Sequence, residues 1–166
     1  ADATLIRSQG FTNVRVLTTE NSYEGITIIK TGGQHGSDEA YANPEMTAML
    51  GDACGLVFRH ADEKVLYIAG DTICVKPYEE SLQSHRPDVV VLNAGFAQVD
   101  GYGAIIMGTE DILRTHQMLP EATIVASHLE AVNHCVLTRA EIREFAQQKG
   151  MQQSVCAPED GETLVF

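Results

Sequence analysis

Val65-Leu66-Tyr67-Ile68-Ala69-Gly70-Asp71-Thr72 is the stretch that decides the fold. Five apolar or aromatic residues in a row form a buried strand, and glycine then lets the chain turn so that a carboxylate stands at the strand's end. A polar group placed there is held by a rigid sheet, and such strand ends are where α/β folds put their sites. The arrangement recurs on both sides. Upstream, Ile26-Thr27-Ile28-Ile29-Lys30 reads as a strand running into Thr31-Gly32-Gly33-Gln34-His35-Gly36. Downstream, Thr123-Ile124-Val125-Ala126 ends at Ser127-His128. His35, Asp71 and His128 thus share one structural context.

Working outward, a short helix around Leu5 and Ile6 stops at Gly10, and Val14–Leu17 reads as a short strand. Residues 37–52 are polar, are broken by Pro44 and Gly51, and read as an irregular excursion. Cys54 to Arg59 and Lys64 to Ala69 form strands joined by a hairpin-like turn at His60-Ala61-Asp62-Glu63. Thr72 is expected to cap the helix that follows, over Lys76 to Ser84, with Pro77 tolerated in its first turn. Asp88-Val89-Val90-Val91-Leu92 has the length of a buried strand. A glycine-bearing loop, 96–108, then leads to a helix that Thr109 is expected to cap, with Glu110 and Asp111 at its positive end. The last helix opens on a capping box, Thr138 with Glu141, and stops at Gly150. Strands near 154–157 and 163–166 close the chain. A β-rich first half followed by alternating helices and strands gives an α/β (α+β) class, a mixed β-sheet covered by helices.

The 166 residues fit one domain or a large piece of one, and 44% hydrophobic with 20% charged residues is a globular mix. A net charge of −12 repels phosphate backbones, so nucleic-acid binding is disfavoured. No apolar run approaches the roughly 20 residues that span a bilayer, and a cytoplasmic protein without membrane association is expected. Cys54, Cys74, Cys135 and Cys156 are widely spaced and read as reduced, mostly buried thiols.

Imidazole and carboxylate together suit zinc, iron or manganese. Taken singly, each residue has a plainer reading: Asp71 as a helix cap or turn former, His35 and His128 as hydrogen-bonded structural residues. His60, His85 and His116 read as structural.

His35-Gly36, Gly70-Asp71-Thr72, Pro87-Asp88-Val89, Gly108-Thr109-Glu110-Asp111 and Ser127-His128 follow one another in that order. In this the chain resembles the later part of the metallo-β-lactamase superfamily, especially the branch of metal-dependent hydrolases that includes the ascorbate-phosphate lactonases. The resemblance implies that residues 1–166 are the C-terminal half of an αββα sandwich. It implies His35 as a ligand of a first metal, Asp71 as the bridging and catalytic carboxylate, and His128 as the last ligand of a second. The ions would be Zn2+, or Mn2+ or Fe2+, two in the intact protein. The implied chemistry is attack of metal-bound hydroxide on an ester, lactone, amide or phosphodiester of a small-molecule substrate. His134, six residues beyond His128, is a candidate catalytic acid, substrate contact or outer-sphere group, with a surface-loop histidine as the plainer alternative. The loop bearing Tyr102 would border the site's mouth.

The superfamily's His-x-His-x-Asp-His motif is absent, since no two histidines here are separated by one residue. The expectation is therefore a fragment, inactive alone, whose remaining ligands lie on a missing N-terminal half; the opening without Met, inside a helix, points the same way. The alternative is a non-catalytic binding or dimerisation domain of the same fold. A half-sandwich would also leave a sheet face uncovered, and self-association into a homo-oligomer would follow.

Overall fold

The computed structural model describes residues 2–130 and 132–166. Helix α1 (Asp2–Ser8) precedes strands β1 (Glu20–Tyr23) and β2 (Ile26–Gly32), and two short helices follow, α2 (Asp38–Tyr41) and α3 (Pro44–Leu50). Then come β3 (Cys54–Arg59), β4 (Leu66–Ile68), α4 (Lys76–His85) and β5 (Val89–Asn93). A small hairpin, β6 (Gln98–Val99) with β7 (Gly103–Ala104), leads to α5 (Thr109–Met118), β8 (Thr123–Ser127), α6 (Arg139–Gln148) and β9 (Val155–Cys156).

Seven strands form one sheet in the order β1-β2-β3-β4-β5-β8-β9. The first three pairings are antiparallel, and β4, β5, β8 and β9 run parallel. Parallel neighbours need crossovers, and α4, α5 and α6 supply them. The mixed sheet expected from the sequence is the one found.

One register row crosses six strands: Ile29, Val57, Tyr67, Val90, Ile124 and Val155. This face meets the helices. Tyr67 stacks on Tyr78 of α4 with ring centroids 5.9 Å apart, and Leu82, Ile112 and Ile142 join the same buried cluster. The Tyr78 hydroxyl, sealed inside, shares a hydrogen bond with Thr115 Oγ1 of α5 at 2.7 Å. On the opposite face Val89 and Val125 are buried, but Ile28, Leu56, Phe58, Leu66, Ile68 and Val91 are not; Ile68 is 36% exposed. Apolar residues on both faces belong to a sheet covered on both sides.

Several expectations are corrected. Val14–Leu17 is not a strand. Glu24 and Gly25, both with positive φ, make a two-residue hairpin that fixes Tyr23 opposite Ile26 and Glu20 opposite Ile29. The edge strand is therefore the polar segment nearest the turn. Residues 37–52 hold α2 and α3 instead of an irregular excursion. Ser37 Oγ accepts from the Ala40 amide, Asn43 Oδ1 accepts from the Glu45 amide, and Pro44 sits at the first helical position, where it starts a helix. Thr109 is the first residue of α5 and not its cap. Gly108 holds the cap position, and its amide donates to Asp111 Oδ2 at 2.8 Å. Residues 163–166 form no strand, and Val165 is 91% exposed. The four cysteines are free as expected, but none is fully buried and Cys54 is exposed. The capping box of α6 is present as read, Thr138 with Glu141. Among the described residues no helix is long and apolar enough to cross a membrane.

Leu92 lies on the helix-covered face with no exposure. Leu92→Ala is expected to lower the unfolding free energy by about 2–5 kcal/mol, read from the urea midpoint at constant slope.

Candidate metal centre

Because β2 is antiparallel to β3 and β3 to β4, the C-terminal ends of β2, β4, β5 and β8 leave the sheet at one edge. His35 follows β2, Asp71 follows β4, Asn93 ends β5, and His128 follows β8. All three expected ligands stand at that edge.

Hydrogen bonds tie the turns together. The Gln34 amide donates to Thr72 Oγ1 at 2.9 Å, and the Ile73 amide donates to the Gln34 carbonyl at 2.9 Å. Thr72, almost wholly buried, therefore braces the His35 turn against the Asp71 turn. The helix-capping role expected for it falls to Val75, whose side chain makes no cap bond. The loop 96–108 lies beside the same turn: Ser37 Oγ donates to the Tyr102 carbonyl, and Asn43 Nδ2 donates to the Tyr102 hydroxyl at 2.7 Å.

Two of the three ligand-type side chains have a hydrogen-bond partner. His35 Nδ1 lies 3.3 Å from the Leu50 carbonyl. A carbonyl only accepts, so Nδ1 is the donor in this contact and Nε2 is the ring nitrogen left for an ion. Asp71 Oδ1 accepts from Asn93 Nδ2 at 2.6 Å, which leaves Oδ2 unengaged by that bond. His128 has φ +55°, a left-handed backbone uncommon outside glycine.

The loop after β8 is pinned at both ends. The Val136 and Leu137 amides donate to the Gly95 carbonyl, and Glu130 accepts from the Arg139 amide and guanidinium. These Arg139 contacts hold the Glu130 carboxyl below its usual range. A Cβ on Gly95 would collide with the His128 carbonyl oxygen and Cys135 Sγ, so only glycine lets the loop approach this closely. Cys135 Sγ donates to the His128 carbonyl at 3.3 Å. Burial, and secondarily the Asp71 charge, push this thiol's pKa up.

Among the described residues, His128, His134 and Cys135 alone bring three ligand atoms within 4.8 Å of one another. The rings of His128 and His134 are edge to face at 6.1 Å. His35 and Asp71 share the edge but not this triad. His35 and His128 were expected on different ions, so close mutual contact is not required of them. Sequence reasoning passed over Cys135, Asn93 and the Thr72 brace. The adjacent His134-Cys135 pair was a usable signal; Asn93 offered none, since it looks like the polar end of any strand. A cavity of about 620 Å³ lies at the opposite edge among Phe58, Leu66, Val89 and the tail 164–166, away from these residues.

No family model matches the chain. The UPF0173 protein YddR of Bacillus subtilis is 43% identical over 166 residues, all of this chain and 63% of YddR. A UPF0173 metal-dependent hydrolase of Methanocorpusculum labreanum is 28% identical over 108 residues, 64% of this chain and 45% of its own length. The crystal structure of an isothiocyanate hydrolase from Delia radicum gut bacteria superposes with TM-score 0.96 at 61% identity, covering 99% of this chain and 64% of that one. YhfI of Bacillus subtilis, a metallo-β-lactamase fold protein, shares the fold at TM-score 0.57 and 14% identity, over 82% of this chain and 47% of its own. The chain has the metallo-β-lactamase fold, and it is similar to UPF0173 proteins. It spans less than two thirds of the length of the relatives it matches.

If Asn93 orients Asp71 for a metal, Asn93→Ala should weaken zinc binding by roughly 10–100-fold with unchanged circular dichroism. Titration calorimetry giving the wild-type affinity would show that Asp71 holds its orientation unaided.

Proposed function

We propose that this chain forms one part of a metal-dependent hydrolase site, with His35, Asp71 and His128 as ligands and a small isothiocyanate as substrate. The observation that carries the reading is that these three residues follow strands ending at one edge of the sheet, with His35 and Asp71 each held by a hydrogen bond. The donor set fits the implied ions: a free imidazole Nε2 at His35, a carboxylate oxygen at Asp71 and a second imidazole at His128 suit Zn2+, Mn2+ or Fe2+. A two-ion site needs more ligands than these, and in the intact protein they would come from the part of the relatives' length that this chain does not match.

The likeness to the isothiocyanate hydrolase, at 61% identity, supports this substrate class. Isothiocyanates are neutral, and their central carbon is electrophilic. Hydrolysis adds water across that carbon and nitrogen, and the adduct breaks into amine and carbonyl sulfide. A chain of net charge −12 admits a neutral electrophile more readily than the phosphodiester among the initial expectations. When bound, the metal would supply a nucleophilic water at neutral pH and polarise the electrophile. Asn93 holds Asp71 in place, Thr72 fixes the distance between the His35 and Asp71 turns, and the Leu50 carbonyl sets the His35 tautomer. His134, exposed beside His128, stands at the rim where reacting atoms would sit.

The second reading, a non-catalytic binding or dimerisation domain, draws on the half-exposed apolar face around Ile68. Asp71→Asn in the full-length protein separates the two. The expected result is loss of isothiocyanate turnover with an unchanged far-ultraviolet spectrum. Turnover that survives the substitution, or metal-free full-length protein by elemental analysis, would favour the second.

A further inference from the structure

The geometry points to a thiolate ligand in this centre: His128, His134 and Cys135 form a His2Cys set for a thiophilic divalent ion such as Zn2+ or Co2+. The inference rests on His128 being a metal ligand and adds two residues to its ion.

Three observations carry it. The ligand atoms of the three residues lie within 4.8 Å of one another, so small side-chain rotations would bring them to the roughly 3.5 Å between tetrahedral donors around one ion. Their meeting is built into the fold. Gly95 leaves room for Cys135 Sγ against the His128 carbonyl, and the Val136 and Leu137 amides lock the loop to the Gly95 carbonyl. His128 has a left-handed backbone, uncommon for a residue with a side chain, and its ring stands edge to face with that of His134.

Thiolate and imidazole together select borderline and soft ions. On binding, the Cys135 S–H bond breaks, a sulfur–metal bond forms, and the proton passes to solvent with no change of oxidation state.

The test is cobalt reconstitution of full-length protein. Wild-type protein should show a thiolate-to-cobalt charge-transfer band in the near ultraviolet. Cys135→Ser should lose that band and bind cobalt roughly tenfold or more weakly, at least the scale of losing an outer-shell partner. Asp71→Asn should keep the band even though it stops turnover, so this inference and the hydrolase reading fail separately. His134→Gln should weaken cobalt uptake as well. A wild-type cobalt protein without the band, no cobalt uptake, or a Cys135→Ser protein with the wild-type spectrum overturns the proposal.

Discussion

The parallel register of β4, β5 and β8 is the constraint on which the rest depends. Tyr67 lies opposite Val90, and Val90 opposite Ile124, so these side chains fall together under the helices. The same register brings the strands to their ends at one edge, which is how Asp71 comes within hydrogen-bond reach of Asn93, and how Asn93 pairs with Ser127 beside His128. A slip of one residue would turn the buried row to the other face and carry Asp71 away from Asn93. Core packing and site geometry are therefore set by one pattern of backbone hydrogen bonds, and the hydrophobic row is what makes the alternative registers costly.

At that edge, order comes from partners and not from burial. Asp71 and His128 are only half-buried, and each is held by something with little freedom of its own: a side-chain amide on a strand end for Asp71, a left-handed backbone for His128. The His35 turn has no strand beneath its last residues, and Thr72 takes over that task with one hydroxyl that accepts from Gln34 and donates to the Ile73 carbonyl. Rigid supports of this kind matter for a metal centre because ligand geometry has to exist before the ion arrives.

The sequence disclosed the strands that run through the middle of the sheet, because Val89–Leu92 and Thr123–Ala126 are continuous apolar runs that only a buried strand explains. It also disclosed the residues at their ends. It misled where a local signal carries two meanings. Pro44 breaks a helix in its interior and begins one at its first position, and the preceding Asn43 was the feature that should have decided between them. Val14–Leu17 has the composition of a strand, yet the Glu24-Gly25 turn gives the edge to polar residues nearby. The Cys135 thiol was hidden for another reason: its meeting with His128 depends on a missing side chain at Gly95, forty residues away, which no local pattern reports.

The two faces of the sheet connect stability to chemistry. Under the helices the apolar row is closed, whereas across the opposite face Ile28, Leu56, Phe58, Leu66, Ile68 and Val91 stay partly in contact with water. Each such side chain, if fully covered, contributes about 1.5–3 kcal/mol, so a layer laid on this face would be bound strongly by the hydrophobic effect alone. The rows on that face run to the same rim that carries Asp71, Asn93 and Ser127. A covering layer that buried Ile68 and Val91 would reach the open side of the candidate centre as well. Further ligands carried on that layer would then be positioned by the packing that stabilises it, and assembly of the core and completion of the site would be one event.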